Sequence, residues 1–414
     1  MKPLAPSLAV AAVLLTLPRA GVADPVFPPG AMTIVSGATR EVVVFDRDGT
    51  LLTRLDAKDA NGFQDLVIGA DGRIHLIYEK RTVVKDAEFQ TLFTIEESSQ
   101  VERGAIGPNG HLFLADTYWI REFDETGAKV GETPFGVGGL GRDLAFGPDG
   151  LLYLASPTGP EITIVDPSGR VAGAITAPEL IAPVGLEFAP DGTLWVAQAI
   201  TVNTAAAPLL RFDGEGNLLA EIGVGSGVNW AHDVTFGPDG LLYVPDYIQD
   251  RVFRFSPDGT LVDFVADQDG LDYPYGVRFA PYRFEAKIKG KVRLANGEDE
   301  KIKEEGTLSI LAGSGTAMLW LDPEEELTEL LGTRAVVVRG FEIPEEDDDG
   351  EKRTLHGVQV SPRALQVGVA SLGLTLDGDV DDGVHEAEKA KGTLQISGAA
   401  GVFLGKVKTD DLID

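Results

Sequence analysis

The stretch Val234 to Asp246, VTFGPDGLLYVPD, decides the fold because close copies of it recur along most of the chain. They read LVIGADGRIHLI from Leu66, AIGPNGHLFLAD from Ala105, LAFGPDGLLYLAS from Leu144 and LEFAPDGTLWVAQ from Leu186, with a truncated sixth copy, VRFAP, from Val277. The glycines that close the turns, Gly72, Gly110, Gly150, Gly192 and Gly240, are spaced by 38, 40, 42 and 48 residues. In the five full copies apolar runs flank a turn in which Asp or Asn tolerates the bend and Gly supplies a positive φ, with Pro fixing φ before it in four of them and Ala70 in that place in the first, so each reads as an antiparallel hairpin.

A second hairpin recurs at a regular distance. VVVFDRDGTLL from Val42, IREFDETGAKV from Ile120, ITIVDPSGRVA from Ile162, LLRFDGEGNLL from Leu209 and VFRFSPDGTLV from Val252 are each strand, turn, strand. After Arg81 the copy TVVKDAEFQTLFTI keeps the length without the turn signature. Four strands in a period near 40 define a propeller. An outer hairpin near Phe45 precedes any inner one, and the strand Tyr275 to Ala280 has no outer partner after it. Residues from about Met32 to Leu55 are therefore expected to join Val277 in one shared blade, giving six blades and no open sheet edge around the ring.

Composition narrows the function. The chain has 414 residues, 65 acidic against 35 basic side chains and a net charge of -30. That balance argues against nucleic acid and against an anionic membrane surface as partners. Lys2, the apolar run Leu8 to Leu17 and the small-residue site before Asp24 read as a secretory signal over residues 1–23. No later run is long enough to span a bilayer. With no cysteine, disulfides and thiolate sites are excluded, and the expected location is periplasmic or extracellular.

The propeller is expected over residues 24–282 and a second β-rich domain over 283–414, where lysine becomes common and the turn phrase disappears. Its eight strand-like runs, from Phe284 to Leu294 through Val402 to Val407, predict a β-sandwich or small barrel, with one short helix over Pro323 to Leu331. Asp377 to Gly383 with Glu388, and Glu345 to Glu351, read as acidic loops.

Aligning the inner strands on Ile68, Ile106, Phe146, Phe188, Phe236 and Phe279 places Asp65, Arg103, Asp143, Gly185, Asp233 and Gly276 three positions earlier, around the channel mouth. Asp65, Asp143 and Asp233 fall on alternate blades. Converging carboxylates attract a hard divalent cation such as calcium; alternatively each accepts backbone N–H groups from the neighbouring blade. Gln64, Glu102, Arg142, Val184, His232 and Tyr275 precede them, and Trp230, Asp272, Tyr273 and Tyr275 enrich the sector around His232, the expected ligand-contact side.

The phrase F-x-P-D-G-x-L-Y-V-x-D followed by F-D-x-x-G resembles the NHL repeat, from about Ala31 to Pro281. It is similar also to the wider group of six-bladed propellers that includes regucalcin-like gluconolactonases and virginiamycin B lyases. Members serve as lactonases, lyases, sensor domains and protein-binding platforms, so the resemblance implies a fold more than a chemistry. The zinc-holding peptide-amidating lyases use three channel histidines, whereas of His75, His111, His232, His356 and His385 only His232 stands at the mouth. For the gluconolactonase-like set Asn229 and Asp233 are available, and for the virginiamycin-type pair His232 with Glu187. Two functions follow: non-catalytic binding of a small molecule or protein at the mouth through Asp65, Arg103, Arg142, Asp143, Asn229, His232, Asp233 and Tyr275, or a metal-dependent hydrolase or lyase of the lactonase-like group using Asp65, Asp143 and Asp233 with His232.

Overall fold

The computed structural model describes residues 26–412, apart from 47–48, 60–61, 70, 98, 108, 117, 135–141, 156–158, 167–168, 190, 201–207, 266–270, 295–298, 312–315, 322–334, 340–352, 359–368, 378–379, 382–383, 386–388 and 399–400. The signal segment, the helix expected at Pro323 to Leu331 and the acidic run Glu345 to Glu351 lie outside the described residues, as does most of the Asp377 to Glu388 stretch. Among the described residues there is no helix, and every regular element is a strand.

Six four-stranded antiparallel sheets form the propeller. Their inner strands are Phe63–Ile68 in blade 1, Val101–Ile106 in blade 2, Asp143–Phe146 in blade 3, Pro183–Phe188 in blade 4, Thr235–Phe236 in blade 5 and Pro274–Phe279 in blade 6. Blade 6 takes its other three strands, Met32–Ser36, Glu41–Phe45 and Leu51–Asp56, from the beginning of the propeller, as the unpaired hairpins predict. Ile34 lies opposite Val277 on one side and Val43 on the other. The closure is sealed further by Gly30 N donating to Ala280 O at 3.0 Å and Ala280 N to Ala31 O at 2.9 Å.

The repeat's residue choices have local causes. Turn glycines at 72, 110, 150, 192 and 240 all have φ between 75° and 83°. The preceding Asp or Asn accepts the backbone N–H two residues on, as Asp149 does from Leu151 at 3.0 Å and Asp239 from Leu241 at 3.1 Å. In the turn of blade 1 that lacks a glycine signature, Phe89 takes the left-handed conformation at φ 63°, stacked on Phe27 with centroids 5.9 Å apart.

Each blade presses against the next through its own apolar cluster, so the core is six wedges rather than one ball. Four wedges carry an edge-to-face aromatic pair made by two letters of the repeat, the inner-strand Phe and the Tyr-position residue of the preceding blade. These pairs are Phe146 on Phe113, Phe188 on Tyr153, Phe236 on Trp195 and Phe279 on Tyr243, at 4.9, 4.9, 5.9 and 4.9 Å. In blade 1 the Tyr position is His75, which faces Ile106 of blade 2 across a cleft.

From Tyr282 the chain enters an eight-stranded closed antiparallel barrel, ordered Tyr282–Leu294, Asp299–Leu311, Thr316–Leu321, Ala335–Arg339, Arg353–Val358, Val369–Asp377, Lys389–Gly398 and Gly401–Leu412. Of the two expected forms the chain takes the barrel. Its first strand alternates cleanly, with Phe284, Ala286 and Ile288 inside and Glu285, Lys287 and Lys289 outside.

Candidate functional site

The inner strands all run from the mouth towards the opposite face, so their first residues encircle the hub. A narrow cavity there is lined by Gln64, Asp65, Arg103, Asp143, His232, Asp233, Tyr275 and Arg278, with Val35, Val184 and Gly276. Six of the eight residues predicted from sequence line it. Arg142 lies exposed beside it, and Asn229 is placed where its backbone N–H donates to Asp246 at 2.5 Å.

All three carboxylates are buried and each grips a neighbouring blade. Asp65 accepts from Leu66 N at 2.8 Å and from Gly104 N of blade 2 at 3.2 Å. Asp143 repeats the arrangement with Leu144 N at 2.8 Å and Leu186 N of blade 4 at 2.7 Å. Asp233 accepts from Val234 N at 2.8 Å, but its other oxygen takes an ion pair with Arg278 of blade 6. The glycines of this ring are required by close approach: a Cβ on Gly185 would stand 2.7 Å from Asp233 Cα, and one on Gly276 3.0 Å from the Asp233 carboxylate.

Arg278 is the residue that sequence reasoning missed. Its guanidinium pairs with Asp233, reaches Asp65 at 3.8 Å and donates to Val277 O at 2.8 Å. Burial opposes its charge, but the three surrounding aspartates more than compensate and hold its pKa above the ordinary arginine value. Burial raises the pKa of Asp65, an effect that Arg103 and Arg278 offset only in part. Burial also raises Asp143 well above the carboxylate range, reinforced by repulsion from Asp233. Arg103 spans three blades by donating to Arg142 O at 2.8 Å, Glu102 O at 3.0 Å and Gln64 O.

This donor set does not fit a divalent ion as it stands. Five of the six carboxylate oxygens accept backbone N–H groups, the sixth is paired with Arg278, and that guanidinium also reaches towards Asp65. Among the described residues no group of three or more His, Asp or Glu is arranged to hold a metal.

Beside the hub, the sector expected to be aromatic is so. His232 contacts Tyr275 edge-on at 4.9 Å, and Tyr247, a residue the sequence reading did not single out, lies 5.2 Å from Tyr275, 4.8 Å from Tyr273 and 5.7 Å from His232. Tyr273 is 41% exposed, and its backbone is held at φ 52° by Asp250 accepting its N–H at 2.8 Å. His232 Nδ1 lies 3.1 Å from Tyr275 O, and burial with nearby Arg103 lowers its pKa to about 3. Trp230 is half-buried in the same sector.

No family model matches the sequence. No curated protein matches it either. Among solved structures, a protein of unknown function from Bacteroides caccae is 13% identical, covering 60% of this chain and 98% of its own with a TM-score of 0.53. A streptogramin B lyase is 16% identical over 61% of this chain and 90% of its own, at a TM-score of 0.48. Virginiamycin B lyase from Staphylococcus aureus is 16% identical over 55% and 78%, at 0.45. The likeness to the Bacteroides caccae protein shows the propeller fold alone.

Proposed function

We propose that this chain is an exported, NHL-like propeller that binds a small ligand or a short protein segment at its channel mouth without transforming it. The observation that carries this reading is the aromatic shelf of Tyr273, Tyr247, Tyr275 and His232, part exposed, beside a hub whose charges already neutralise one another. Aromatic faces provide large contact area for little lost conformational freedom, and Arg103 and Arg142 at the same rim favour a ligand with an anionic group.

Chemistry would need a group free to take or give a proton. A pKa lowered to about 3 makes the His232 ring, whose Nδ1 faces the Tyr275 carbonyl, a weak base, and the hub aspartates are engaged with backbone and arginine. The reading is tested by screening the intact protein, by thermal shift and tyrosine fluorescence, against planar acids, glycosides and short peptides. A ligand that stabilises the native protein is expected to bind about tenfold more weakly to Tyr247→Ala, the loss of one aromatic contact of about 1.4 kcal/mol. Equal binding by Tyr247→Ala and Tyr273→Ala would remove the shelf from the argument. Stoichiometric divalent metal, with a turnover abolished by chelation and by Asp143→Ala, would replace this reading with the hydrolase or lyase.

A further inference from the structure

Lysine is unevenly distributed in this chain. Only Lys58, Lys80, Lys85 and Lys129 lie between Asp24 and Tyr282, against ten lysines from Arg283 onward. Seven of those ten are exposed on the outer face of three adjoining barrel strands, Tyr282–Leu294 flanked by Asp299–Leu311 and Gly401–Leu412. The register sets most of them against one another: Lys289 stands opposite both Lys303 and Lys406, Lys291 opposite Lys301, and Lys287 opposite Lys408 on one side and Glu305 on the other. Like charges directly opposite destabilise a sheet. The described acidic residues exposed on this face are Glu285, Asp299 and Glu305, and Asp299 is engaged by Arg293 at 3.0 Å.

We propose that this face binds a flexible carboxylated polysaccharide. The lysine positions repeat about 7 Å apart along each strand and about 5 Å apart between strands, a regular array suited to a chain with a charge on successive residues. They are lysines rather than arginines, point charges that attract hydrated carboxylates without demanding a planar, two-bonded fit.

The surroundings select among polyanions. The whole chain carries -30, so an anionic bilayer or a nucleic-acid duplex reaching past the face would meet a net negative surface, an effect attenuated beyond about 8 Å at physiological salt. A thin chain lying along the strands does not. The barrel is closed and offers a peptide no strand edge to extend. The described exposed residues of the face include no aromatic side chain on which single-stranded bases could stack.

The test is independent of the mouth. The intact protein is titrated calorimetrically with polygalacturonate and with neutral dextran at low and high salt, alongside the triple variant Lys289→Gln, Lys303→Gln, Lys406→Gln. Polygalacturonate is expected to bind at low salt and dextran not to, with affinity falling steeply as salt rises and about tenfold or more weaker in the triple variant. The variant's thermal midpoint should stay level or rise, because opposed like charges are removed, so lost binding is not lost folding. Absence of polygalacturonate binding at low salt, equal affinity in the variant, or tighter binding of single-stranded DNA, polyglutamate or phosphatidylglycerol vesicles would overturn the proposal.

Discussion

Arg278 stands where a bound cation was expected, and it explains why three aspartates can crowd a buried hub. Replacing it with Gln leaves Asp65, Asp143 and Asp233 without their central counter-charge, a loss of roughly 3–5 kcal/mol on the scale of broken buried ion pairs. Urea unfolding should show that loss at neutral pH and show it shrinking towards acid. The sign follows from the carboxyls: Asp65 and Asp143 already have folded pKa values above the unfolded 3.8, and removing Arg278 raises them further. Such groups contribute stability that is present below about pH 4 and is lost as pH climbs through the folded value. A deficit that stayed constant from pH 7 to pH 4 would show that Arg278 acts by packing instead. Sequence carried a signal for this residue, since the column Val67, Ala105, Ala145, Glu187, Thr235, Arg278 holds a single arginine. It lies in the most eroded copy of the repeat, and nothing local reveals that its guanidinium reaches blade 5 and blade 1.

At the scale of the element, four of the six wedges between blades are aromatic sockets, and in the wedge between blades 1 and 2 His75 stands at the Tyr position. In blades 3 and 5 the Tyr hydroxyl also donates to the turn aspartate, Tyr153 to Asp149 and Tyr243 to Asp239, both at 2.9 Å. His75 is buried with Nδ1 unbonded, and burial lowers its pKa to about 4 despite Asp71. Being depressed below 6.5, it contributes stability that is intact above that pH and is lost as pH falls to about 4. His75→Tyr should add about 1 kcal/mol at pH 7 by restoring a buried hydrogen bond. It should also spare roughly 3 kcal/mol of the acid-induced loss between pH 6.5 and 4, at about 1.4 kcal/mol per unit. Denaturation curves at the two pH values check both; equal acid loss in variant and native protein would contradict the assignment. The hairpins themselves were legible because turn chemistry is local. The Tyr247 shelf was not, because that residue follows the last letter of the repeat and meets Tyr273 and Tyr275 only when blades 5 and 6 come together.

The whole molecule depends on the seam in blade 6. Ile34 is fully buried there between two strands that lie far apart in sequence. Ile34→Asp is expected to cost more than about 3 kcal/mol by placing an unpaired charge in the seam. The aromatic near-ultraviolet circular dichroism of every blade should then be lost together. A loss confined to blade 6, with the other wedges unfolding at their native midpoint, would mean the ring does not act as one cooperative unit. Blade count and seam could be read from hairpin bookkeeping, while closure of the second domain could not, because barrel register comes from pairings such as Phe284 with Leu412 that no short motif announces.

The seam has one more implication. Since Gly30 and Ala280 exchange backbone hydrogen bonds with the residues beside them, the propeller's beginning and end are already spatial neighbours. Which blade is translated first is therefore an accident of where the gene opens the circle. A permuted chain, cut in an exposed loop elsewhere and spliced across that junction, would specify the same disc, leaving the fusion point of any appended module as a free variable of design or evolution.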